Sequence, residues 1–472
     1  MTLAARSPSR AERQLPLFDI KEDDTGKKTA EPANKTRAPY TNGSAFSDPA
    51  FAINKTLPVH RWVPWIAGFS SDFVEQALSN YLTTKGTVLD PFAGVGTTLV
   101  GATLAGHNAI GFEINPYPAL ACRVKLSSHL INVNRLRDEI QSFEDFYQDR
   151  VASNLTPQSS PPQGFKTRAA FYSPTVLYKV LLVQDFVATI GDDLLRDLFK
   201  LVFAATMVSY SNYSYEPSLS RRVSSGKAEI SDFPVMEAIR DKLIEVTEDI
   251  IWLQSYLPQE QLSSSVINDS FFNYQQHIEP QSIDLVVTSP PYLNNYHYNR
   301  NTRPQLYWLG YMEKPQDMRV LENANFGKYW QTVRDEETMD LGFSLSSSDI
   351  MERLQLLRSL NPHKKIYGGH GWANYAATYF NDCYKFAMGL CYCLKPGGTA
   401  LIVLGNSILQ GLLIPTDQYF AQIAESVGLE LVTIHIPRTT RVGSSIIQSS
   451  VRVGKAEDTH QLYEAVVELR KR

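Results

Sequence analysis

Residues 288–292 have side chains that could hold a planar base against an aromatic ring. They read Thr-Ser-Pro-Pro-Tyr and follow an apolar run at 283–287, which predicts a buried strand. The prolines fix φ and remove two backbone donors, so nearby carbonyls stay able to accept hydrogen bonds. Acceptors suit the hydrogens of an exocyclic amine, and the tyrosine offers a face for a planar ring. The segment therefore favours recognition of a nucleic-acid base.

A second segment, residues 90–98, has the composition of a turn that approaches a bound group closely. It reads Asp-Pro-Phe-Ala-Gly-Val-Gly-Thr-Thr, with Gly94 and Gly96 between a predicted strand at 87–90 and a predicted helix at 99–104. Glycines at such a place let the backbone come near a ligand. The spacing lacks the third glycine of the nicotinamide-binding fingerprint, so a nicotinamide cofactor is disfavoured.

An acid at the end of the next predicted strand, 108–113, narrows the choice of cofactor. Glu113 lies about 20 residues beyond the glycine turn, where a doubly wound fold hydrogen-bonds a ribose. Asp90 and Phe92 precede the two glycines. A lone Gly-x-Gly turn is a weak signal, but together with these three side chains it favours S-adenosylmethionine.

Alternating strand and helix patterns predict an α/β fold with a mostly parallel sheet. Residues 131–264 have apolar side chains at helical spacing, which predicts a helical insert between the two chemical segments. Two further apolar runs, 429–436 and 462–469, predict final strands that pair as an antiparallel edge. Ligands of such sheets bind at the carboxyl ends of the strands, so both chemical segments are expected to face one cleft.

Residues 90–98 and 288–292 together resemble the two motifs of the amino-methylating DNA methyltransferases. The similarity of their surroundings extends over 51–130 and 265–472. The Ser-Pro-Pro-Tyr form resembles the cytosine-N4 branch, whereas an aspartate in the place of Ser289 is commoner in the adenine-N6 branch. The cofactor motif comes first here, an order that resembles the class with its target-recognition region between the two motifs.

This resemblance implies a Rossmann-like, S-adenosylmethionine-dependent fold and a set of site residues. Phe69 and Ser70 match loosely a segment that folds over the methionine end of the cofactor, with core packing as an equal alternative. Asp269 resembles the position that hydrogen-bonds the adenine; the alternative is an Asn-Asp turn without a ligand. The implied catalytic residues are Ser289, Pro290, Pro291 and Tyr292, and the implied cofactor-binding residues are Asp90, Phe92, Gly94, Gly96, Thr98, Glu113, Asp269, Phe69 and Ser70.

The net charge of −4 is no sign of a nucleic-acid partner, so candidate DNA contacts come from local stretches. Residues 438–455 are basic and rich in hydroxyls, which suits phosphate contacts, although a solvated loop explains them equally well. Residues 210–227 combine tyrosines with arginines, for which a partly buried aromatic loop is the alternative. Amides and an arginine after the catalytic segment suit base edges. The candidates are Asn294, Asn295, Arg300, Arg221, Arg222, Arg438 and Arg441.

Composition divides the chain into a tail and three further parts. Residues 1–50 are polar and are expected to be disordered, except for the apolar island Gln-Leu-Pro-Leu-Phe at 14–18. That island resembles peptides that bind the bacterial sliding clamp; packing on its own domain, or chance, is the favoured alternative. The other predicted parts are a cofactor half at 51–130, the helical insert at 131–264 as candidate target-recognition region, and a catalytic half at 265–472 with a second insert at 313–370.

The four cysteines have no histidine cluster beside them, which predicts reduced core thiols and no metal site. No Pro-Cys pair occurs, and this disfavours methylation at carbon 5 of cytosine. No secretory signal opens the chain and no apolar run is long enough to cross a membrane. A cytoplasmic enzyme of a prokaryote is therefore expected.

The leading hypothesis is a site-specific cytosine-N4 DNA methyltransferase that acts on a flipped-out base, paired with a cognate restriction endonuclease or acting alone. One alternative keeps the fold and changes the substrate, to adenine N6 in DNA or to an exocyclic amine in RNA. Another is a non-catalytic nucleic-acid-binding or clamp-recruited protein on a relic fold. Both chemical segments look intact, which argues against a relic, and the serine argues modestly against adenine.

Overall fold

The computed structural model describes residues 40–41, 46, 51–65, 68–215, 218–257, 262–294, 296, 298–440 and 462–472. Its strands are β1 (Tyr40–Thr41), β2 (Thr87–Asp90), β3 (Asn108–Phe112), β4 (Tyr213–Tyr215), β5 (Leu219–Arg221), β6 (Ser264–Ile267), β7 (Ile283–Thr288), β8 (Leu394–Gly405), β9 (Ser407–Leu409), β10 (Leu412–Ile414), β11 (Leu429–Thr440) and β12 (Leu462–Lys471). Its helices are α1 (Ser71–Tyr81), α2 (Thr97–Leu104), α3 (Pro116–Ser127), α4 (Val133–Ala152), α5 (Pro174–Thr189), α6 (Asp193–Thr206), α7 (Val235–Tyr256), α8 (Tyr298–Asn301), α9 (Arg303–Trp308), α10 (Pro315–Ala324), α11 (Trp330–Val333), α12 (Ile350–Ser359), α13 (Gly369–Cys393) and α14 (Thr416–Ser426). The apolar island at 14–18, Asn295 and Arg441 lie outside the described residues.

Eight strands form one sheet, in the order β1-β11-β12-β8-β7-β2-β3-β6. The five strands from β8 to β6 in that order run parallel to their neighbours. β12 is antiparallel to both β8 and β11, while β1 pairs in parallel with β11. The prediction of an α/β fold with an antiparallel C-terminal strand pair is confirmed. β12 lies inside the sheet, and β1 forms the edge beyond β11.

The central strands are apolar on both faces because helices cover both faces of the sheet. In β7 all side chains but that of Asp284 are buried. Leu285 and Val287 face the core that α1 and α2 share, while Val286 faces the core that α13 and α14 share. The carboxyl ends of β2, β3 and β7 are left open between these helices, and the candidate site lies there.

The helices α4 to α7 form a layer with its own core, as the helical spacing of residues 131–264 predicts. Phe143, Phe186 and Phe199 meet in it, with ring centroids 5.2 to 6.0 Å apart. Side chains that accept a hydrogen bond from the first turn begin α4, α5 and α6, namely Asn132, Ser173 and Asp192. None of the described helices combines the length and the apolarity that crossing a membrane needs.

The expected disorder of residues 1–50 is wrong at two places. Tyr40–Thr41 forms β1 on the side of β11 that no other strand occupies. Phe46 is buried, with its ring edge-on to Phe73 at 5.2 Å and to His435 at 5.0 Å. The polar composition of the tail hides both contacts, since an open strand edge and an apolar gap are properties of the folded domain.

A buried carboxylate ties α7 to the segment that precedes α1. Asp249 accepts hydrogen bonds from Arg61 Nη2 at 2.6 Å, from Trp62 Nε1 at 2.8 Å and from the Val59 amide at 2.8 Å. Val59 has a φ of +66°, a conformation that a β-branched residue adopts only when its surroundings impose it. The helical layer therefore holds the chain where it enters the catalytic domain.

We expect Asp249→Ala to lower the free energy of unfolding by about 3–5 kcal/mol, because it leaves a charged group and two N–H donors without their acceptor. Urea denaturation followed by circular dichroism measures this change. Asp241→Ala, on the exposed side of the same helix, is the matched control and should change stability little. A loss below about 1 kcal/mol for Asp249→Ala, the range of surface pairs, would show that this carboxylate is not the anchor.

Candidate active site

A cavity of about 400 Å³ lies at the carboxyl ends of β2, β3 and β7. The glycine turn contributes Phe92 and Gly94 to its wall, and the end of β3 contributes Glu113. The Ser-Pro-Pro-Tyr corner contributes Ser289 and Tyr292. The two chemical segments thus face one cleft, as the sequence predicts. Further predicted residues in the wall are Pro290, Pro291, Phe69 and Asn294.

A hydrogen-bonded carboxylate joins the ends of β2 and β7 behind the cavity wall. The Thr288 hydroxyl donates to Asp90 Oδ1 at 2.6 Å, and the Phe92 amide donates to the same oxygen at 3.0 Å. Burial raises the pKa of Asp90 to about 6, although these hydrogen bonds lower it. Thr98 is also buried and donates to Val287 O at 3.2 Å. Asp90 and Thr98 therefore hold the two segments together and do not themselves line the cavity.

Glu113 holds the glycine turn against the start of α3. Its Oε2 accepts from the Gly94 amide at 2.9 Å, and its Oε1 accepts from the Asn115 amide at 2.8 Å. A carboxylate has about four lone-pair sites, so acceptor capacity remains for the hydroxyls of a ribose. Burial raises the pKa of Glu113 to about 8, although the two backbone hydrogen bonds lower it.

Two side chains of α3 brace the glycine turn from behind. Gly94 and Gly96 have φ values of +50° and +87°, which other residues adopt only with strain. Cys122 Sγ donates to Gly94 O at 3.2 Å, and Lys125 Nζ donates to Val95 O at 2.9 Å. A Cβ added at Gly96 would approach Cys122 Sγ to 3.1 Å. The turn is therefore fixed on its far side, and Gly96 serves this packing and lies outside the cavity wall.

Ser289 presents a hydrogen-bond acceptor to the cavity. Its hydroxyl donates to Val403 O on β8 at 3.2 Å, and Tyr292 Oη lies 3.5 Å from its Oγ. A hydroxyl has one proton and two lone pairs, so the lone pairs remain available when the proton is directed to Val403. Such an acceptor suits an amine hydrogen and repels a carbonyl oxygen.

The ring of Tyr292 is held from two sides. Its hydroxyl donates to Glu464 Oε1 at 3.2 Å, and its amide donates to the Tyr298 hydroxyl at 3.4 Å. The ring lies against Gly405 of β8, where an added Cβ would be 3.1 Å from Cδ2. Burial, and after it the charge of Glu464, raises the pKa of Tyr292 well above its usual value. Tyr292 is therefore a neutral hydrogen-bond donor.

Aromatic side chains from distant parts of the chain form another part of the wall. Phe326 lies edge-on to Phe92, with centroids 5.2 Å apart, and nearly parallel to Phe272, with centroids 6.2 Å apart. Phe326 comes from the second predicted insert, together with its neighbours Ala324 and Asn325. Flat apolar walls of this kind suit a purine ring.

Two residues that the resemblance assigns to the cofactor are engaged outside the cavity wall. Asp269 accepts from Asn273 Nδ2 at 2.9 Å and lies 3.0 Å from His277 Nε2, while its neighbour Ser270 lines the cavity. Ser70 is the N-cap of α1 and accepts a hydrogen bond from an amide of its first turn. A contact of either residue with a cofactor stays a prediction.

Asn54 places Phe69 in the wall. Its Nδ2 donates to Phe69 O at 3.1 Å and to Thr97 Oγ1 at 3.4 Å, and its Oδ1 accepts from the Ser71 amide at 2.9 Å. Asn54 is fully buried, so these bonds replace its contacts with water. No sequence signal marks this residue, because its short 3-10 turn carries no motif.

Sequence reasoning missed several other residues of the wall. Asn115 could have been found, since an asparagine before a proline reads as an N-cap with proline at the first helical position. The other missed residues come from pairings between distant segments, which local patterns do not show. They include Asn299, Phe272, Phe326 and Glu464.

The candidate DNA contacts Arg221 and Arg222 lie at the end of the β4–β5 hairpin, which docks on the segment after the catalytic corner. Tyr215 Oη donates to Asn301 O at 2.8 Å, and the Leu219 amide donates to Asn301 Oδ1 at 3.1 Å. This docking brings together residues 210–227 and the residues after the catalytic corner, two of the stretches in which the sequence places candidate DNA contacts.

The remaining DNA candidates are spread over the catalytic half. Asn294 lines the cavity, and Arg300 is exposed on α8. Arg438 lies in β11, opposite Glu464 in the strand register. Asn295 and Arg441 are not among the described residues.

Comparisons with known proteins find similarity to methyltransferases. A family model described as N6_N4_Mtase, DNA methylase, matches residues 27–120. The chain is similar to the type II methyltransferase M.BsoBI of Geobacillus stearothermophilus, with 24% identity over 437 residues that cover 84% of this chain and 83% of that protein. It is also similar to the type II methyltransferase M.AvaI of Nostoc sp., with 24% identity over 428 residues that cover 84% of each chain.

A similarity to a solved structure is much weaker. The rRNA methyltransferase aviRa from Streptomyces viridochromogenes is 8% identical and gives a TM-score of 0.27, with 86% of this chain and 87% of that chain covered. A TM-score this low does not bear on the fold, which rests on the order and direction of the strands.

Proposed function

The chain belongs to the amino-methylating DNA methyltransferases, and from that premise we propose that it methylates the exocyclic N4 of cytosine at specific sites in DNA. Its methyl donor is S-adenosylmethionine, and its substrate is DNA. One observation carries the proposal of cytosine: a serine, with its proton directed to Val403 O, stands at the catalytic corner in the same cavity as Glu113 and Gly94.

The residues in the cavity fit this cofactor. Glu113 keeps acceptor capacity for ribose hydroxyls, and the glycine turn leaves room where a Cβ at Gly94 would lie 3.4 Å from the Trp65 indole nitrogen. The aromatic wall at Phe92, Phe272 and Phe326 suits the adenine ring. When bound, S-adenosylmethionine supplies an activated methyl group on a sulfonium.

The corner prepares the amine for transfer by hydrogen bonding. The target nitrogen is conjugated with its ring, so its lone pair is poorly available. Ser289 Oγ accepts one amine hydrogen and a carbonyl near Pro290 accepts the other, which favours a pyramidal nitrogen with a localised lone pair. Tyr292 stacks on the base. Much of the rate gain comes from this positioning, which is worth up to about 7–11 kcal/mol in well-oriented reactions.

A base inside a duplex cannot reach this corner, so the target is flipped out, at a cost of about a few kcal/mol. We propose that Arg221, Arg222 and Arg300 contact the DNA, because the β4–β5 hairpin docks on Asn301 at the end of α8, next to Arg300. The helical layer at 131–264 would then read the sequence, and the second insert would serve the cofactor cavity.

The product distinguishes cytosine from adenine. Purified protein is incubated with S-adenosylmethionine and unmodified DNA, and the digested nucleosides are measured by mass spectrometry. The proposal expects N4-methyldeoxycytidine, which should be absent without the methyl donor. N6-methyldeoxyadenosine as the sole product would overturn the assignment to cytosine and keep the family. Methylation of RNA only would overturn the choice of substrate.

The raised pKa of Glu113 leads to a pH-dependent affinity for the cofactor. Ribose hydroxyls donate to the ionised carboxylate, so binding lowers its pKa below the free value of about 8. Affinity for S-adenosylhomocysteine should therefore rise as the pH approaches 8 and level off above it. Calorimetry between about pH 6 and 9 on the wild type and on Glu113→Gln measures this, because the difference between the two removes the titration of the ligand's own amine. Parallel profiles would contradict the prediction.

Two partners are proposed on separate grounds. Both relatives are named as type II methyltransferases, which supports a restriction-modification role and a cognate endonuclease. The apolar island at 14–18 supports binding to a sliding clamp, and a peptide of residues 10–22 tests it. That peptide should bind the clamp and lose binding on Phe18→Ala; the absence of binding would end the proposal.

A further inference from the structure

Glu464 lies at the catalytic corner although it is far from both motifs in the sequence. It stands near the start of the inner strand β12, opposite Gly405 of β8. Within the described part of the chain, the charged residues in the cavity wall are Glu113 and Glu464. Glu113, at the end of β3, accepts a hydrogen bond from the glycine turn, so Glu464 is the carboxylate that adjoins the base-binding corner.

The contacts of Tyr292 define the plane of its ring. Gly405 has no side chain, so the ring lies directly against its backbone. A Cβ at Gly405 would come within 3.1 and 3.2 Å of ring carbons Cδ2 and Cε2. Glu464 Oε1 accepts from the hydroxyl at the far end of the ring, at 3.2 Å. A tyrosine side chain has two torsions. The contact of the ring with Gly405 and the hydrogen bond of the hydroxyl to Glu464 together fix both of them.

We infer that Glu464 is a positioning residue of the target-base site, which acts through the Tyr292 hydroxyl to keep the ring in the plane on which the flipped base stacks. The inference rests on the methyl transfer proposed above, but not on which base is methylated. A misplacement of about 1 Å near a reacting group lowers the rate by up to about 10²-fold. Rotation of the Tyr292 ring out of this plane should therefore lower the rate of methyl transfer strongly.

The role makes Gln the conservative replacement for Glu464. Burial keeps the pKa of Tyr292 high, so its hydroxyl is protonated and donates. An amide oxygen accepts that proton in the same place as the carboxylate oxygen does, whereas alanine offers no acceptor. A residue that mattered only through its negative charge would lose its function equally in both replacements.

The test measures methyl incorporation from labelled S-adenosylmethionine into unmodified DNA, with kcat and the KM for DNA separated, and cofactor affinity by calorimetry. We expect Glu464→Ala to lower kcat about 10- to 100-fold at unchanged cofactor affinity, and Glu464→Gln to stay within about threefold of the wild type. Glu430→Ala, exposed on the neighbouring strand β11, is the matched control and should leave kcat unchanged.

A double variant shows whether Glu464 acts through Tyr292. Tyr292→Phe keeps the ring and removes the hydroxyl, so Glu464→Ala should lower kcat by less than about threefold further in that background. Wild-type activity of Glu464→Ala, equal losses for Ala and Gln, or losses that multiply in the double variant would each overturn the inference. A wild-type protein that methylates no DNA would overturn the proposed function, and this inference with it.

Discussion

Ser289→Ala is expected to lower kcat about 10²- to 10³-fold, the loss that follows removal of one preorganised hydrogen-bonding group at a reacting centre. The alanine removes the acceptor for an amine hydrogen, so the nitrogen keeps its lone pair in conjugation with the ring. Cofactor affinity should change little, because Glu113 and the glycine turn make no hydrogen bond to Ser289. The change therefore falls on the chemical step.

Single-turnover methylation of unmodified DNA and calorimetry with S-adenosylhomocysteine separate the two effects. Ser282→Ala is the matched control, since that serine precedes the same strand, lies outside the cavity wall and directs its hydroxyl to Glu279 O. Methylation by Ser289→Ala at the wild-type rate would remove the proposed role of the hydroxyl. A loss of cofactor affinity equal to the loss of rate would instead show that the corner shapes the cofactor site.

The parts of the fold that the sequence predicts well are those with strong local patterns. The strand at 87–90 has the predicted bounds, and the helix predicted at 99–104 begins two residues earlier, at Thr97, and ends at Leu104. Apolar periodicity and flanking turn residues act within a few residues of each other, so a local pattern is enough to show both elements. The meeting of Asp90 with Thr288 also follows from local rules, since both end parallel strands and such ends share one edge of a sheet.

The parts that sequence reasoning missed depend on which distant segments pair. Glu464 reaches the corner only because β12 is inserted beside β8 in a register that sets it opposite Gly405. Phe326 reaches the cavity because an insert folds back over it. Neither the register of β12 nor the placement of the insert can be read from a local pattern. Strand register, for example, is decided by side chains on both paired strands.

The expected contact of Asp269 with adenine illustrates a second limit of local sequence patterns. The position of Asp269 in the sequence suits a contact with adenine, but Asn273 and His277 lie four and eight residues later and bond its carboxylate. Local side-chain partners compete with a ligand for the same oxygens, and a motif that fixes only the acid cannot show the competition. Glu113 differs, because its partners are two backbone amides and acceptor capacity remains.

Glu113→Ala is expected to weaken binding of S-adenosylhomocysteine about 10²- to 10³-fold, which corresponds to about 3–4 kcal/mol. The substitution removes a charge-assisted acceptor for the ribose, and such hydrogen bonds contribute about 1.5–3 kcal/mol each. It also leaves the amides of Gly94 and Asn115 without their acceptor, so the turn loses the contact that fixes it.

Calorimetry on the folded variant measures this loss, with circular dichroism to confirm that the fold persists. Glu279→Ala is the matched control, because that glutamate is exposed beyond the cavity wall and should leave affinity unchanged. Glu113→Gln should fall between the wild type and Glu113→Ala, since one amide oxygen still accepts while the NH₂ group faces a backbone donor. If Glu113→Ala bound the ligand within about threefold of the wild type, ribose recognition would have to lie elsewhere in the cavity. The glycine turn would then be the one feature of this part of the wall that supports S-adenosylmethionine as the cofactor.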